Sequence, residues 1–433
     1  MTTLTNKDKR KLLYSVKRLF SNKSLIVPKS IGDIPTKKYL YLELCLTENR
    51  TIFLTDAGHE HFRAVVDVIH KADFFNGRAE FSDIWRAWRK VVEKWLSNGL
   101  QPGCVDEVVQ ALEELIVQEI DNHTFVVPLL GIELDGVVSF ALGAMTILPM
   151  SVDLFDSAGV THDHTNVPRL LELSKQYFWL KGTMHGTPSV AQQKFSEQAA
   201  LTVGMLAITA VSMYEWGASG FRIGIVMTAE EATGRSVWFS WDERTRGLTT
   251  HYTYRRGQPL PVNKALGNDS DMARMIHRAF AILQADDRSP LEEAIARAVY
   301  WYSDAHRDPV LVMKLVKYWS CVEAFFSFEN EEITHAVSAG LASILVFGGF
   351  HFVPLSEYGT VKKQIADLYS LRSRAVHRGS HNHTTEQHIT QFSQWVAWMI
   401  ITMVVLVEAG YTTLKEVKEQ TDRLNGQAAR CGK

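Results

Sequence analysis

The residues of this chain whose types and spacing suggest chemistry lie in one short segment, from Leu368 to Gly379. The segment contains Arg372, Ser373 and His377. An arginine side chain stays charged and can hold two phosphate oxygens with its planar guanidinium group. A histidine side chain can accept or donate a proton near neutral pH. The segment therefore combines a group suited to binding phosphate with a group suited to proton transfer.

Other charged residues are candidates for supporting roles. Glu323 falls beside the apolar stripe of an earlier predicted helix, where a carboxylate needs a partner, and an ion pair with Arg372 or Arg374 would supply one. Five residues around the segment are candidates for contact with phosphate: Lys362, Lys363, Arg374, Arg378 and His381. A cluster of this kind can equally be a solvated helix face.

The segment resembles the signature of HEPN domains, in which an Arg, a polar residue directly after it, and a His after four to six intervening positions form the site. Here these are Arg372, Ser373 and His377. With Tyr369 before the Arg, and a basic residue and Gly379 after the His, the pattern looks most like the ApeA-like branch of that family. That branch also tends to carry a Leu-Glu or equivalent pair, to which the region of Glu323 is similar. The resemblance covers about residues 286 to 410.

This resemblance implies a metal-independent endoribonuclease that needs no cofactor and forms a homodimer through its C-terminal bundle. Arg and His from both subunits would meet at the interface. Cleavage of RNA by its own 2′-hydroxyl needs a proton acceptor, a proton donor and a cation beside the phosphorane, which are roles that His377 and Arg372 can fill. The resemblance places Ser373 in the same catalytic site and gives Glu323 and Tyr369 supporting positions.

The same resemblance implies a biological setting, a toxic effector of abortive anti-phage defence with an activating signal such as a phage component. Two other interpretations stay open. One is a non-catalytic HEPN protein that binds RNA or a protein partner. The other is that Arg372 and His377 only neutralise the C-terminal end of a helix, where cations contribute a few tenths to about 1 kcal/mol.

The spacing of Arg372 and His377 limits what one helix can do with them. At about 100° per residue, the two positions differ by about 140° around an ideal helix, whereas Ser373 and His377 are one turn apart. The end of the helix could be distorted, the Arg372 side chain could bend round, or a partner subunit could supply the missing group. The dimer explains the spacing best.

Beyond residue 285, the sequence predicts one helix after another. The first begins at a capping box of Ser289 and Glu292, with Pro290 at the first helical position. The predicted helices cover about residues 290–306, 309–326, 332–346, 357–377 and 384–410. A capping box at Thr384 to Gln387 opens the fifth, and Thr413 starts a last short helix. Short connections favour antiparallel neighbours, so residues 285–433 are predicted to form an up-and-down bundle.

Residues 1–284 mix helical and strand patterns. Three-and-four spacing of apolar residues predicts helices at 63–75, 81–100 and 105–120. Strands are predicted at 39–46, 125–132, 137–148 and within 221–254, with Asp135-Gly136 as a hairpin turn. The fold class is therefore α+β, a mixed α/β N-terminal region followed by an all-α HEPN-like bundle. We interpret residues 1–284 as a sensor or regulatory region, because they contain no recognisable catalytic motif.

Composition excludes several classes of protein. The formal net charge of −2 gives no general case for binding nucleic acid or membranes, so any nucleic-acid site must be a local basic patch. The four cysteines form no CxxC pair, which favours a reducing, cytoplasmic compartment without disulfides or zinc. The apolar run from Trp395 to Val407 is shorter than the roughly 20 residues of a membrane helix and is predicted to be a buried helix.

Two pairs of histidines deserve comparison with metal sites. His162 and His164 form one pair, and His381 and His383 form the other. Neither pair is accompanied by further ligands at zinc spacing, so loop histidines are the simpler interpretation and no metal is expected. His381 and His383 could still contact RNA because they follow the segment directly.

Overall fold

The computed structural model shows an α+β protein, which confirms the predicted fold class. It describes residues 4–27, 43–47, 50–149, 151, 154, 177–214, 220–226, 235–241, 248–254, 258–327, 333–378 and 383–431. The chain forms two compact units. The first comprises Met1–Phe125 and Thr183–Phe195, and the second comprises Val126–Gly182 and Ser196–Lys433. The boundary predicted at residue 285 lies inside the second unit, and whether it separates two functions stays a prediction.

In the first unit, amphipathic helices pack on a small sheet. The helices are α1 (Asn6–Leu19), α2 (Asp56–Lys71), α3 (Phe81–Ser97) and α4 (Val105–Glu119), and the strands are β1 (Leu25–Ile26), β2 (Glu43–Thr47) and β3 (Arg50–Leu54). The sheet has the order β1-β3-β2. The predictions for α3 and α4 are confirmed. Helix α2 begins earlier than predicted because the Thr55 hydroxyl accepts the Gly58 N–H and caps it.

The remaining strands are β4 (Asp121–Leu130), β5 (Ile132–Glu133), β6 (Phe140–Leu142), β7 (Met145–Pro149), β8 (Phe178–Gly186), β9 (Gly224–Ile225), β10 (Arg235–Trp241), β11 (Leu248–Tyr254) and β12 (Leu260–Pro261). Strands β6-β7-β8-β4-β9 form a five-stranded sheet in that order, β10 pairs with β11, and β5 pairs with β12. The short β5–β12 pair is parallel, whereas β10 and β11 are antiparallel.

The hairpin predicted at Asp135-Gly136 is wrong. The Asp135 N–H donates to Asn263 Oδ1 at 2.9 Å, and the Asp135 carbonyl accepts from Asn263 Nδ2 at 2.5 Å, while its carboxylate pairs with Lys264. These contacts come from more than a hundred residues away and occupy the predicted turn. The hairpin instead joins β6 to β7 through Gly143, whose φ of 61° favours glycine.

The second unit contains the remaining described helices. Ahead of residue 285 these are α5 (Pro188–Met213), whose first residues belong to the first unit, α6 (Val262–Leu266) and α7 (Asp271–Gln284). After it come α8 (Pro290–Arg307), α9 (Leu311–Phe326), α10 (Ile333–Phe347), α11 (Tyr358–Arg378), α12 (Glu386–Glu408) and α13 (Leu414–Cys431). Helix α7 packs on α8 and α12, so the helical assembly extends to the N-terminal side of the predicted boundary.

The helices α8 to α11 lie within one or two residues of their predicted bounds. The Ser289 capping box is present, since the Ser289 hydroxyl accepts the Glu292 N–H at 3.3 Å and the Glu292 carboxylate accepts the Ser289 N–H at 2.8 Å. Helices α8 and α9 are antiparallel. Cys321 lies against the Ala298 carbonyl, and Tyr302 lies against Tyr318.

Two predictions for the last helices need correction. The capping box of α12 is one residue later than predicted, because the Thr385 hydroxyl accepts the His388 N–H and the His388 ring accepts the Thr385 N–H. Helix α13 is not short but has 18 residues. It continues because Val417 and Thr421 are buried on a stripe, and Thr421 accepts a hydrogen bond from Ser343 of α10.

In the part of the chain that the structure describes, two helices are long and apolar enough to cross a membrane when judged by length and composition. They are α5 and α12, and 72% and 67% of their most apolar windows are buried inside the protein. The core helices of soluble proteins meet the same test, so this is weak evidence for a membrane span. The predicted burial of Trp395–Val407 is confirmed for most of its residues, although α12 is longer than that run.

Candidate functional site

Helix α11 carries the segment that the sequence singles out. Its buried stripe contains Val361, Ile365 and Leu368, and Arg372 continues that stripe one turn further on. His377 is exposed in the last turn of the helix, and Ser373 is half-buried between the two positions. The helix is continuous through Arg378, so a distorted helix end does not bring Arg372 and His377 together.

The Arg372 guanidinium is bound to Glu323 of α9. Its Nη2 atom lies 3.0 Å from Oε1 and 3.1 Å from Oε2 of the carboxylate. The two side chains are only 19% and 22% exposed. The ion pair proposed from the sequence is therefore present, and between the two candidate arginines it involves Arg372.

Tyr369 holds the same guanidinium from another side. The Cζ atom of Arg372 lies 5.6 Å from the centre of the Tyr369 ring, within the range of a cation–π contact. Tyr369 in turn meets Trp319 of α9 edge-to-face, with ring centres 5.1 Å apart. Because Tyr369 precedes Arg372 by one turn, the Arg372 side chain runs back along the helix and not forward to His377. The bent side chain considered from the sequence is therefore wrong.

Burial sets the electrostatics of this pair. Burial raises the pKa of Glu323 above its usual range, and this effect exceeds the lowering by the Arg372 charge and hydrogen bond. The pKa of Tyr369 is also raised, first by burial and then by the Glu323 charge. A pair in which the desolvation cost exceeds the attraction adds little net stability. It does fix the position of the guanidinium.

The Arg372 guanidinium is also incompletely satisfied. Its Nε atom is buried and has no hydrogen-bond partner among the residues that the structure describes. A buried donor without a partner costs about 1–3 kcal/mol. This cost is a second sign that stability alone does not account for the arrangement.

The outer face of α11 is positive. Lys363, Arg374, His377 and Arg378 are all exposed. Arg374, His377 and Arg378 lie within one turn of one another at the C-terminal end, where phosphate could approach from solvent. The C-terminal end of the helix also favours these cations, so the structure leaves both interpretations open.

Lys362 does not belong to this outer face. Its Nζ atom donates to Asn425 Oδ1 of α13 at 3.1 Å, and the Tyr358 hydroxyl donates to the same oxygen at 2.8 Å. Burial lowers the pKa of Lys362. Its side chain is therefore turned toward the protein, and its predicted contact with RNA stays a prediction.

The other predicted histidines add little to the site. His381, with His162 and His164, lies outside the described residues, and His383 is exposed just before α12. In the described parts of the chain, no three His, Cys, Asp or Glu side chains come together as metal ligands would.

Sequence reasoning missed a buried histidine, His306, in the last turn of α8. Its Nε2 atom accepts the Ile223 N–H at 3.2 Å. Burial, and then the positive charges of Lys314, Arg222 and Arg307, lower the pKa of His306 to about 3. It is therefore neutral near pH 7. Arg307 is its neighbour in the sequence, but Lys314 and Arg222 come from other segments, and only the fold shows that the ring is buried.

Trp319 is the other residue of the site that sequence reasoning missed. It is fully buried on the apolar stripe of α9. Its contact with Tyr369 links that stripe to the Arg372 position.

Comparisons of the chain with family models, curated proteins and solved structures find no match.

Proposed function

We propose that this protein is a metal-independent endoribonuclease whose site is completed by a second copy of the chain. One observation carries the proposal. Arg372 is fixed by Glu323 and Tyr369 and runs back along α11, while His377 is exposed in the last turn of the same unbroken helix. Cation and proton-transfer group are thus both present but do not serve one phosphate within one chain.

The two-chain arrangement follows from the chemistry of the reaction. Cleavage by the 2′-hydroxyl needs a cation at the phosphate and a proton-transfer group at the same phosphorus. A second α11 placed against the first would offer its own exposed His377 to the first Arg372. A two-fold axis would then create two equal composite sites. Ser373, one turn before His377, would line the same site.

Four wider statements belong to this proposal and rest on the sequence: the compartment on the cysteine pattern, the role of residues 1–284 on their lack of a catalytic motif, and the toxic role and its signal on the HEPN-like segment. The protein would act in the cytoplasm, as a toxic effector in abortive anti-phage defence. Residues 1–284 would restrain or trigger the nuclease, and the signal would be a phage component. A restraint of this kind must bind the inactive state more tightly than the active state.

A second candidate function is RNA binding without cleavage. The observation in its favour is that Glu323 already uses the charge of Arg372, whereas Lys363, Arg374 and Arg378 are exposed and available to phosphate. Such a protein would bind RNA with a steep dependence on salt and would tolerate the loss of His377.

The experiment that separates the two candidates is cleavage by the purified full-length protein in EDTA. We expect cleavage to persist and to leave 2′,3′-cyclic phosphate or its hydrolysis product. His377→Ala and Arg372→Ala should both stop it, while His335→Ala, which changes an exposed histidine of α10, should not. Strict dependence on Mg²⁺ would contradict the mechanism. RNA binding with no cleavage by any variant would favour the second candidate.

A further inference from the structure

Helix α1 carries the most concentrated positive charge of the first unit. Six of its 14 residues are basic, whereas Asp8 is the one acidic residue in the helix. All six basic side chains are exposed: Lys7, Lys9, Arg10, Lys11, Lys17 and Arg18. The whole chain has a net charge of −2, so this helix is the kind of local patch that a nearly neutral protein needs to bind a polyanion.

These cations form a continuous surface along the helix. At 100° per residue, Lys7, Arg10, Lys11, Tyr14, Lys17 and Arg18 fall within about 120° of arc. We call these six residues the α1 basic stripe. Among the residues that the structure describes, none of its five cations has a carboxylate within ion-pair distance. Their charge is therefore available to a ligand.

An aromatic ring stands in the middle of the stripe. Tyr14 is 57% exposed. The Arg18 guanidinium lies 5.5 Å from the centre of the Tyr14 ring, and the His61 ring of α2 meets it edge-to-face at 6.0 Å. The ring is thus held in place while much of its surface remains open. An exposed aromatic ring between cations is the arrangement on which the bases of a single strand stack.

The opposite face of α1 decides between nucleic acid and membrane as the partner. Leu12, Val16 and Leu19 are at most 1% exposed and belong to the core of the first unit. An amphipathic helix that binds a membrane inserts its apolar face into the lipid. In α1 the apolar face is already buried in the core of the first unit, so the helix can offer a membrane only its charges and one tyrosine.

We propose that the α1 basic stripe binds single-stranded nucleic acid, with its lysines and arginines on the phosphates and Tyr14 stacked on a base. RNA and single-stranded DNA share this chemistry. The inference does not depend on cleavage, because it concerns a different surface and is tested by binding. It gives the first unit a role in holding the strand.

Fluorescence anisotropy with a 20-nucleotide oligo-U RNA tests this role. The full-length chain carries His377→Ala throughout, so that the RNA stays intact. The test variant combines Lys7→Glu with Lys11→Glu. The control combines Lys71→Glu with Lys94→Glu, which also reverses two exposed lysines of the first unit and changes the net charge equally. A milder pair, Lys7→Gln with Lys11→Gln, serves if circular dichroism shows that the glutamates disturb folding.

We expect the test variant to bind about 20-fold more weakly at 100 mM salt. The plot of log affinity against log salt should also become shallower, with a slope smaller in magnitude by about 1.4 because two phosphate contacts are lost. The control should change by less than about 3-fold. Tyr14→Ser should cost about 5-fold or more through lost stacking. A parallel titration with oligo-dT shows whether the surface prefers RNA.

Three results would overturn the proposal. The first is equal weakening by the test and control pairs, which would mean that only the overall charge matters. The second is unchanged binding in the test variant. The third is binding of anionic phospholipid vesicles that Lys7→Glu with Lys11→Glu abolishes, together with no binding of either oligonucleotide.

Discussion

Helix α1 presents all of its basic side chains to solvent, whereas α11 turns two of its five lysines and arginines inward. On α11, Arg372 is bound to Glu323 and Lys362 to Asn425, while the other three cations are exposed. The two helices have similar positive charge in sequence. What separates them is the phase of each charge relative to the apolar stripe. The number of cations on a helix therefore does not tell which of them can reach a ligand.

The inward cations carry a cost that the outward ones do not. Burial lowers the pKa of Lys362 and raises that of Glu323, which means that desolvation exceeds the attraction of the partners. The cations of α1 are exposed and stay hydrated in the folded protein, so they carry no comparable desolvation cost. A strand can therefore be held loosely on α1, whereas Arg372 is fixed in one place before any substrate arrives.

The largest effect is expected when residues 1–284 are deleted, which removes α1 and keeps α11. This deletion also removes α7, whose Ile276, Phe280 and Leu283 are at most 2% exposed. At about 1.5–3 kcal/mol for each buried side chain, the loss is about 5–9 kcal/mol. We expect fragment 285–433 to be unfolded or aggregated.

A longer fragment provides the control for that deletion. Residues 258–433 retain α7 and should show a higher urea midpoint by circular dichroism than residues 285–433. Equal midpoints would mean that α7 does not stabilise the helices after it. The regulatory role proposed for residues 1–284 is therefore better tested by point variants of the full chain.

The inward and outward sides of α11 can be separated by activity. His377→Ala should lower the rate of RNA cleavage by about 10² to 10⁴ if His377 transfers a proton. Arg372→Lys keeps the charge but loses the planar fork and should also be strongly impaired. The measurement is single-turnover cleavage of a labelled RNA, with thermal unfolding to show that both variants fold.

Mixing the two inactive variants tests the composite site. In a 1:1 mixture of Arg372→Ala and His377→Ala chains, half of the dimers are mixed and each has one intact site, so about a quarter of the wild-type rate should return. If subunit exchange is demonstrated and no activity returns, the proposal is contradicted. So would full activity in a protein that light scattering shows to be monomeric.

The buried His306 ring lies close to the positive charges of Lys314, Arg222 and Arg307. The pH dependence of stability tests the lowered pKa of His306. The unfolded chain takes up a proton at this histidine near pH 6.5, whereas the folded protein takes it up near pH 3. Stability is therefore lost as the pH falls below about 6.5. Between pH 8 and pH 5.5 the loss is about 1.4 kcal/mol from this group. Urea unfolding at both pH values measures it.

The matched variants are His306→Gln and His335→Gln. The first removes the buried titrating ring and should lower the pH dependence by about the same 1.4 kcal/mol. The second changes an exposed histidine and should leave the dependence as it is. If both variants keep the full wild-type dependence, the lowered pKa of His306 is excluded as its cause.

The smallest effect concerns the ion pair itself. Because burial raises the pKa of Glu323, the ionised carboxylate contributes little net stability, and Glu323→Gln should change the free energy of unfolding by less than about 1 kcal/mol. Cleavage should nevertheless fall, because a neutral amide holds the Arg372 guanidinium less firmly. Glu323→Ala should cost about 1–3 kcal/mol, since it leaves a buried cation without an acceptor. A stability loss in Glu323→Gln as large as in Glu323→Ala would contradict this balance.

The parts of the fold that the sequence predicts well are those with local signals. Helix α8 begins where Ser289, Pro290 and Glu292 place it, and α3 follows the spacing of its apolar residues. Helix α5 was missed because its second half, residues 199–211, is apolar and buried on nearly all sides and therefore has no helical period to detect. The turn at Asp135 was misplaced because Asn263 and Lys264, far along the chain, bind it.

The candidate site was predictable to the same degree. The place of Glu323 beside the apolar stripe of its helix predicted an ion pair with Arg372 or Arg374, and the structure shows the pair with Arg372. The angle between Arg372 and His377 predicted that one helix separates them. The backward course of the Arg372 side chain was not predictable, because it depends on the Tyr369 ring and the packing of Trp319 behind it.

The tight packing of α5 has a consequence for the synthesis of the protein. At Gly204 a β-carbon would lie 2.5 Å from the Val299 carbonyl oxygen, so this face of α5 is covered by α8. Val299 is translated 95 residues after Gly204. At about 5–20 residues per second, the apolar face stays uncovered for roughly 5–20 seconds on the ribosome. During that time α5 offers chaperones or the membrane-insertion machinery a long apolar helix, and slower translation between the two helices should increase aggregation without any change in the finished fold.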